Sequence, residues 1–428
     1  MDVMNNAEAS KIARRLAVQS VRTMTTPALI TTDETVRIAL LTDMNDAADR
    51  SLDKAQSPTF LSLPLLEYHL ILAAKHGCEK ILYLSAGESS TQDSAEKRAR
   101  RLGLEFATVK TARDLSLKVA AQDELLLIAP DLLPDERRLQ SLLDHGPVVL
   151  TLPAALSAQE GFERIDRDEC WAGIMMVPGS VVGKLADLPP DVDLISALLR
   201  ASLQSCIPTT SLGAEALADG TWHLNPSPPQ RAFREQAWFA DRRHDIPFTA
   251  PGLATAERVG LRLARDIAAT RAAALPGLFA LVAVIGALIF VAIDSPTIGF
   301  ALATLAAVSV HVSSVISRLE EALTSLRQDG LSHRFAGWVI DLVLVLLLIT
   351  TAPQSHALLE IFIPLMLFGV LYLGAEHGSR RWQYTYRDRV TLGCILSIAA
   401  FAGVALETAA VLALLALGTR FFRAARAS

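Results

Sequence analysis

The chain has 428 residues, 51% of them hydrophobic and 20% charged, with a formal net charge of −5. A mean hydropathy of +0.34 argues against a wholly soluble enzyme, and the composition excludes a disordered chain and a collagen-like repeat. Cys78, Cys170, Cys206 and Cys394 are scattered, with neither CxxC nor zinc spacing, which excludes a disulfide scaffold, and the acidic balance gives no nucleic-acid footprint.

Residues 1–35 read as a leader. They contain Lys11, Arg14, Arg15 and Arg22 but no apolar run of signal-peptide length, so the following domain is expected in the cytoplasm. Residues 7–23 fit either a short amphipathic helix or a flexible stretch.

Residues 36–210 alternate short apolar runs with longer segments of helical spacing. The runs are Ile38–Leu41, Ile81–Leu84, Glu124–Ala129, Val148–Leu152 and Gly173–Val177. The helical segments are Leu61–His76, Asp93–Leu102 and Asp191–Leu203. This alternation predicts a Rossmann-like α/β domain with a mainly parallel sheet covered on both faces.

Residues 211–274 read as a connector. Asn225–Pro251 is rich in Pro, Arg and aromatics without clear periodicity, so a surface connector is expected there. Pro251–Ala274 reads as a basic amphipathic helix, with Arg258, Arg262, Arg265 and Arg271 beside Val259, Leu261, Leu263 and Ile267. Such a helix suits a membrane surface.

Residues 275–428 read as an all-α membrane domain of six spans. A spanning helix needs roughly 20 apolar residues. Leu275–Ile293, Thr297–Ile316, Phe335–Ala352 and Ala357–Ala375 qualify, and Val390–Gly418 is too long for one helix. Two helices with a turn near Ala405–Glu407 place the clusters around Arg318, Arg380 and Arg420 on one side, as the positive-inside rule asks. The expectation is a multi-pass protein of the inner membrane with both ends cytoplasmic. Trp382, Tyr384 and Tyr386 suit an interfacial anchor.

The first strand is followed by Asp43, Asp46, Asp49 and Asp53, and no glycine occurs before Gly77. A glycine-rich phosphate cradle is therefore absent there. The four acids could hold a divalent ion or simply face water.

Pro64-Leu65-Leu66-Glu67, then the run from His76-Gly77 to Leu84, resembles the sugar-phosphate nucleotidyltransferases. Glu124–Asp131 resembles that family's strand ending near a metal-binding Asp, and Trp171–Val177 its later core strand. Lys54, ten residues before Pro64, falls close to the family's substrate-binding Lys. The resemblance implies a metal ligand at Asp131 and substrate binding at Lys54. The family's glycine-rich signature turn is missing.

A domain of this type followed by six spans is similar to bifunctional enzymes that make CDP-inositol and pass inositol phosphate to a lipid. Their membrane part is a CDP-alcohol phosphotransferase, marked by D-x2-D-G-x2-A-R-x8-G-x3-D-x3-D. Asp329-Gly330 through His333-Arg334 matches D-G-x2-A-R except for His333, and Gly337 to Asp341 matches G-x3-D. Only two residues separate Arg334 from Gly337, and Leu326 and Val345 replace the outer acids. The resemblance implies Mg2+ or Mn2+ on Asp329 and Asp341, Asp341 as the catalytic residue, and substrate contacts from Gly330, Arg334 and Gly337. An alternative for Asp341 is a structural ion pair with Arg334 or a place near the membrane interface. His311 reads as a buried hydrogen-bonding residue.

Three readings follow. One is a transferase of phospholipid head-group synthesis that moves a phospho-alcohol from a CDP-linked donor to an acceptor. The second is an inactive homologue that scaffolds or regulates lipid synthesis, and the third is an unrelated transporter or anchor. The expected partners are membrane lipid, a CDP-alcohol or nucleotide, and a second copy through the membrane half.

Overall fold

Strand β1 (Arg37–Thr42) is buried over its four central residues, as its apolar run RIALLT requires of a central parallel strand. The computed structural model describes residues 35–42, 58–85, 90–144, 146–189, 192–267, 275–324, 331–351 and 357–424. The amphipathic stretch expected within 7–23 lies outside the described residues.

After β1 come the hairpin β2 (Thr59–Phe60) and β3 (Leu63–Pro64), then helix α1 (Leu65–Lys75) and β4 (Lys80–Leu84). Pro64 starts α1, Glu67 and Lys75 complement its two ends, and Gly77 at φ +78° turns the chain into β4. There follow α2 (Ser90–Arg101), β5 (Glu105–Val109), α3 (Ala112–Lys118), β6 (Glu124–Ile128), β7 (Leu132–Leu133) and α4 (Glu136–Leu143). Next are β8 (Val148–Pro153), α5 (Ala154–Ser157), β9 (Glu169–Pro178), α6 (Gly179–Gly183), α7 (Leu194–Gln204) and β10 (Thr209–Ser211). Then come α8 (Glu215–Ala218), β11 (His223–Leu224) and α9 (Pro228–Asp241).

Seven strands form one sheet in the order β10-β8-β9-β6-β1-β4-β5. β1 pairs parallel with both β4 and β6, and β9 alone runs antiparallel to its neighbours β6 and β8. The chain therefore moves one way from β1 through β4 to β5 and then returns to place β6 on the other flank of β1. That reversal lies at the C-terminal ends of β1 and β6, the place where open α/β sheets form a ligand crevice. The five expected strands form, and β5 and β10 add to them.

The connector expected over Asn225–Pro251 instead contains α9. Pro228 occupies its first turn, where no N–H is needed, and Ser227 N–H donates to Gln230 Oε1 at 2.8 Å. Trp238 and Phe239 bury one face of α9, which its charged residues obscured in the sequence.

The C-terminal half is helical: α10 (Pro251–Ile267), α11 (Leu275–Ala292), α12 (Pro296–Thr324), α13 (Leu331–Thr350), α14 (Ala357–His377), α15 (Arg380–Arg387), α16 (Arg389–Phe401) and α17 (Ala405–Ala424). The last two meet at Ala402–Val404, slightly before the expected turn, because Gly403 adopts φ +71°.

Among the described residues, Leu275–Ala292 and Pro296–Leu323 are long and apolar enough to cross a membrane. Phe335–Thr350, Ile361–His377, Arg389–Phe401 and Ala405–Thr419 are shorter apolar stretches. The 13 residues of α16 rise only about 20 Å, short of a hydrocarbon core of about 30 Å. Six apolar helices thus form where six spans were expected, and two of them have the composition and length of a span.

Helix α11 buries alanines, Ala280, Ala283 and Ala287, and exposes Phe279, Val282, Ile285 and Ile289. Small residues inside and large apolar ones outside are the reverse of a soluble helix. Helix α12 is longer than the expected span. Its later residues Val315, Ile316 and Leu319 join the apolar cluster that contains the sheet core, so the two halves share one buried interior.

Candidate functional site

The crevice beside β1 is built on the chain that follows β6. Asp131 sits there, half-buried, with φ +53°. Its carbonyl accepts from the Asn225 amide at 3.0 Å, and β7 pairs with β11 through Leu133 and His223. His69, 1% exposed on α1, braces the same segment: its Nε2 lies 2.6 Å from the Leu132 carbonyl, which can only accept. Burial drives the His69 pKa down to about 4, against the small upward effect of that bond, so the ring is neutral and Nε2 carries the proton.

Gly173 lets β9 cross this segment closely. It has φ +86°, and a Cβ there would come within 3.1 Å of Leu132 and 3.2 Å of Ala129. Trp222 Nε1 donates to the Ala172 carbonyl at 2.7 Å. These contacts tie α1, β7, β9 and β11 together at that end of the sheet. The acids Asp43, Asp46, Asp49 and Asp53, and the proposed substrate lysine Lys54, lie outside the described residues.

The second candidate site is at Asp341, on α13. Its partner is Arg389, at the start of α16. Arg389 Nε donates to Oδ1 at 2.5 Å and Nη2 to Oδ2 at 2.9 Å. The structure thus gives Asp341 the partner Arg389, whereas the side chain of Arg334, the partner weighed from the sequence, lies outside the described residues. Arg389 Nη1 also donates to the Tyr386 carbonyl at 2.5 Å. Asp388, beside it, is 4% exposed and accepts from the Thr391 and Gly252 amides, both at 2.9 Å. It caps α16 and ties the start of α10 to it.

These residues do not fit the implied Mg2+ or Mn2+ at Asp341. A permanently charged guanidinium lies where the ion would have to be. Among the described residues no three His, Cys, Asp or Glu side chains gather as metal ligands. Asp329 and Gly330 lie outside the described residues, and so does the side chain of Arg334. A Cβ at Gly337 would meet nothing within 4 Å, so packing does not demand glycine there.

A third polar cluster joins the halves, and the sequence reading missed it. The buried face of α10 is Gly252, Ala256, Glu257, Gly260 and Ala264, while Val259 and Leu263 are exposed beside Arg258 and Arg262. Glu257, 1% exposed, accepts from Arg318 Nη2 at 2.5 Å and lies 3.2 Å from His311 Nε2. Burial pushes its carboxyl up. The His311 bond, the Arg318 charge and the His244 amide outweigh that and hold it at about 2. His311 is a hydrogen-bonding residue, as its place in the sequence suggested. The signal for Glu257 was there: small residues at four-residue spacing mark a face made for close helix contact.

The fold defines a class: a parallel-rich α/β region joined to a helical C-terminal half. Solved structures similar to the N-terminal half include the inositol-1-phosphate CTP transferase from T. maritima, at 16% identity and TM-score 0.35, covering 46% of this chain and 92% of that one. A putative glucose-1-phosphate thymidylyltransferase from Bacillus anthracis is similar at 12% identity and TM-score 0.33, covering 50% of this chain and 97% of that one. A UDP-glucose pyrophosphorylase complexed with UDP-glucose is similar at 12% identity and TM-score 0.32, covering 49% and 100%. No family model matches the chain, and no curated protein matches it.

Proposed function

We propose that this protein works at a membrane in phospholipid head-group synthesis and binds a nucleotide-linked phospho-alcohol without transferring it. It is the inactive homologue among the readings above, acting as a scaffold or regulator. The observation that carries this is the Asp341–Arg389 pair. In the resembled transferases the corresponding acid holds metal; here both its oxygens are given to an arginine.

The crevice beside Thr42 and Asp131 supplies the nucleotide end of the reading. Its floor, braced by the His69 and Trp222 hydrogen bonds, suits binding. The missing glycine-rich turn removes the close backbone N–H donors that would offset developing charge on a triphosphate. The outward apolar face of α11 supports the membrane end. All six apolar helices cross the inner membrane in this reading, with the Arg318, Arg389 and Arg420 ends cytoplasmic.

The test uses the full chain in detergent with Mg2+ or Mn2+. Calorimetry with CTP and a panel of CDP-alcohols should detect binding. Release of CMP or pyrophosphate in the presence of phospho-alcohols and lipid acceptors should stay at background. Multiple turnovers of either product would overturn the proposal and restore the transferase reading; no binding by any nucleotide would remove the crevice from it.

A further inference from the structure

Helices α14 to α17 enclose a cleft of about 190 Å³. Its walls are apolar and come from three helices: Leu367 and Leu371 on α14, Leu392 and Ile395 on α16, Leu412 and Leu415 on α17. Ile395 and Leu415 are exposed, so the cleft opens sideways between α16 and α17.

Its other end is polar, and most of the polar groups there are already engaged. Tyr386 Oη and Thr419 Oγ1 share a hydrogen bond at 2.5 Å. Arg389 serves Asp341 and the Tyr386 carbonyl, and Asp388 serves Gly252 and Thr391. Thr249 and Trp382 are exposed; the buried group left without a partner is on Thr385. Its Oγ1 lines the same cleft, is buried, and has no hydrogen-bond partner. A buried hydroxyl without a partner is costly, so this one points to a partner from outside the chain.

The occupant must therefore have a long apolar part and an uncharged oxygen at one end. Among the described residues, the only cation in the lining is Arg389, and its charge is already balanced by Asp341. A phosphate would find no free positive charge there among the described residues, and it would meet the buried carboxylate of Asp388. We infer that the cleft holds one acyl chain of a neutral glycerolipid, a diacylglycerol, whose ester or hydroxyl oxygen meets Thr385 Oγ1. Trp382, 40% exposed at the polar end, sits where an indole marks a membrane interface. The inference rests on the membrane reading of the helical half.

The test is photolabelling of the full chain in phosphatidylcholine nanodiscs that contain a diazirine-bearing diacylglycerol. Adducts should map to the wall residues of α14, α16 and α17. Unlabelled dioleoylglycerol should displace the probe, and an equal amount of phosphatidylglycerol should not. Leu412→Trp, which fills the cleft, should lower labelling at least about tenfold, and Thr385→Val about fivefold. Ala416→Leu replaces Leu412→Trp if that variant fails to elute as the parent does. Labelling spread evenly over α11, equal displacement by phosphatidylglycerol, or indifference to both cleft-filling variants would overturn the inference. Release of the protein from native membranes by alkaline carbonate would sink the membrane reading itself. Retention there without cleft labelling would sink only the lipid site.

Discussion

Asp341 and Arg389 stand on different helices and meet fork to fork, each carboxylate oxygen taking one N–H of the guanidinium. Their side chains are 25% and 16% exposed, so water screens the pair only in part. Parallel charge-assisted bonds of this kind are the strong ones. Their effect here is to clamp α13 to α16 and to let an acid exist among apolar helices.

Asp341→Asn keeps the volume and removes the charge. It leaves Arg389 half-buried without its counter-ion, and stability should fall by about 1–3 kcal/mol, less than for a fully buried pair. The double variant Asp341→Asn with Arg389→Gln should recover part of the loss, giving a coupling of at least about 1 kcal/mol. Thermal melts of the four proteins in one detergent read it. A catalytic metal ligand would behave otherwise: activity would vanish with stability unchanged.

Glu257 should be the acid whose loss most loosens the junction of α10 and α12. Glu257→Gln removes a charge that Arg318 and His311 both use. We expect a cost of about 2–4 kcal/mol, below the largest values for buried pairs because Arg318 is 28% exposed. The wild-type carboxyl sits at about 2 against an ordinary 4.5. Its contribution is therefore present above pH 4.5 and fades as pH falls from there toward 2. Acid melts of the two proteins should converge in that window, and parallel curves would show that Glu257 is not charged in the fold.

Gly260 tests the same contact sterically. A Cβ there would lie 2.9 Å from Val315 Cβ on α12. Gly260→Leu should force α10 off α12 and expose the shared core, costing about 1–3 kcal/mol by overpacking. Limited proteolysis should then cut between residues 241 and 275 far faster than in wild type. Unchanged cutting would mean that α10 does not depend on this face.

The central strands were legible because their apolar runs are continuous and bounded by turn residues, as in RIALLT and ELLLI. Strand β5 was not, because Glu105–Val109 is only partly covered at the sheet edge and reads as mixed. Helix α9 was hidden by its charges, and its capping residues were the signal overlooked. The six apolar helices could be placed from hydropathy, whereas partners across helices could not. Arg389 lies 48 positions from Asp341, too far along the chain for spacing to suggest the pair. Gly337 and Asp341 matched a motif by spacing alone, and spacing carries no information about which cation a carboxylate faces. At the crevice, topology could be anticipated while the brace from His69 could not, since nothing in Glu67–Leu70 separates a buried histidine from an exposed one.

That brace gives the last prediction. His69 has an ordinary pKa of 6.5, and burial lowers it to about 4 in the fold. Between those values the unfolded chain binds a proton that the folded one refuses. Stability must therefore fall as pH drops from 6.5 to 4, by about 3 kcal/mol for this group, and level off below. His76 and His223 are lowered in the same direction by burial, so the wild-type slope alone is not diagnostic. His69→Gln isolates the group, because its amide N–H can reach the Leu132 carbonyl but cannot take up a proton. The variant should show the same fold near pH 7 and a slope smaller by about one proton between pH 4 and 6.5. Urea melts of the full chain, followed through Trp171, Trp222 and Trp238 of the N-terminal half, report the difference. Identical slopes would place His69 in contact with water and take away the brace that keeps Asp131 fixed at the edge of the crevice.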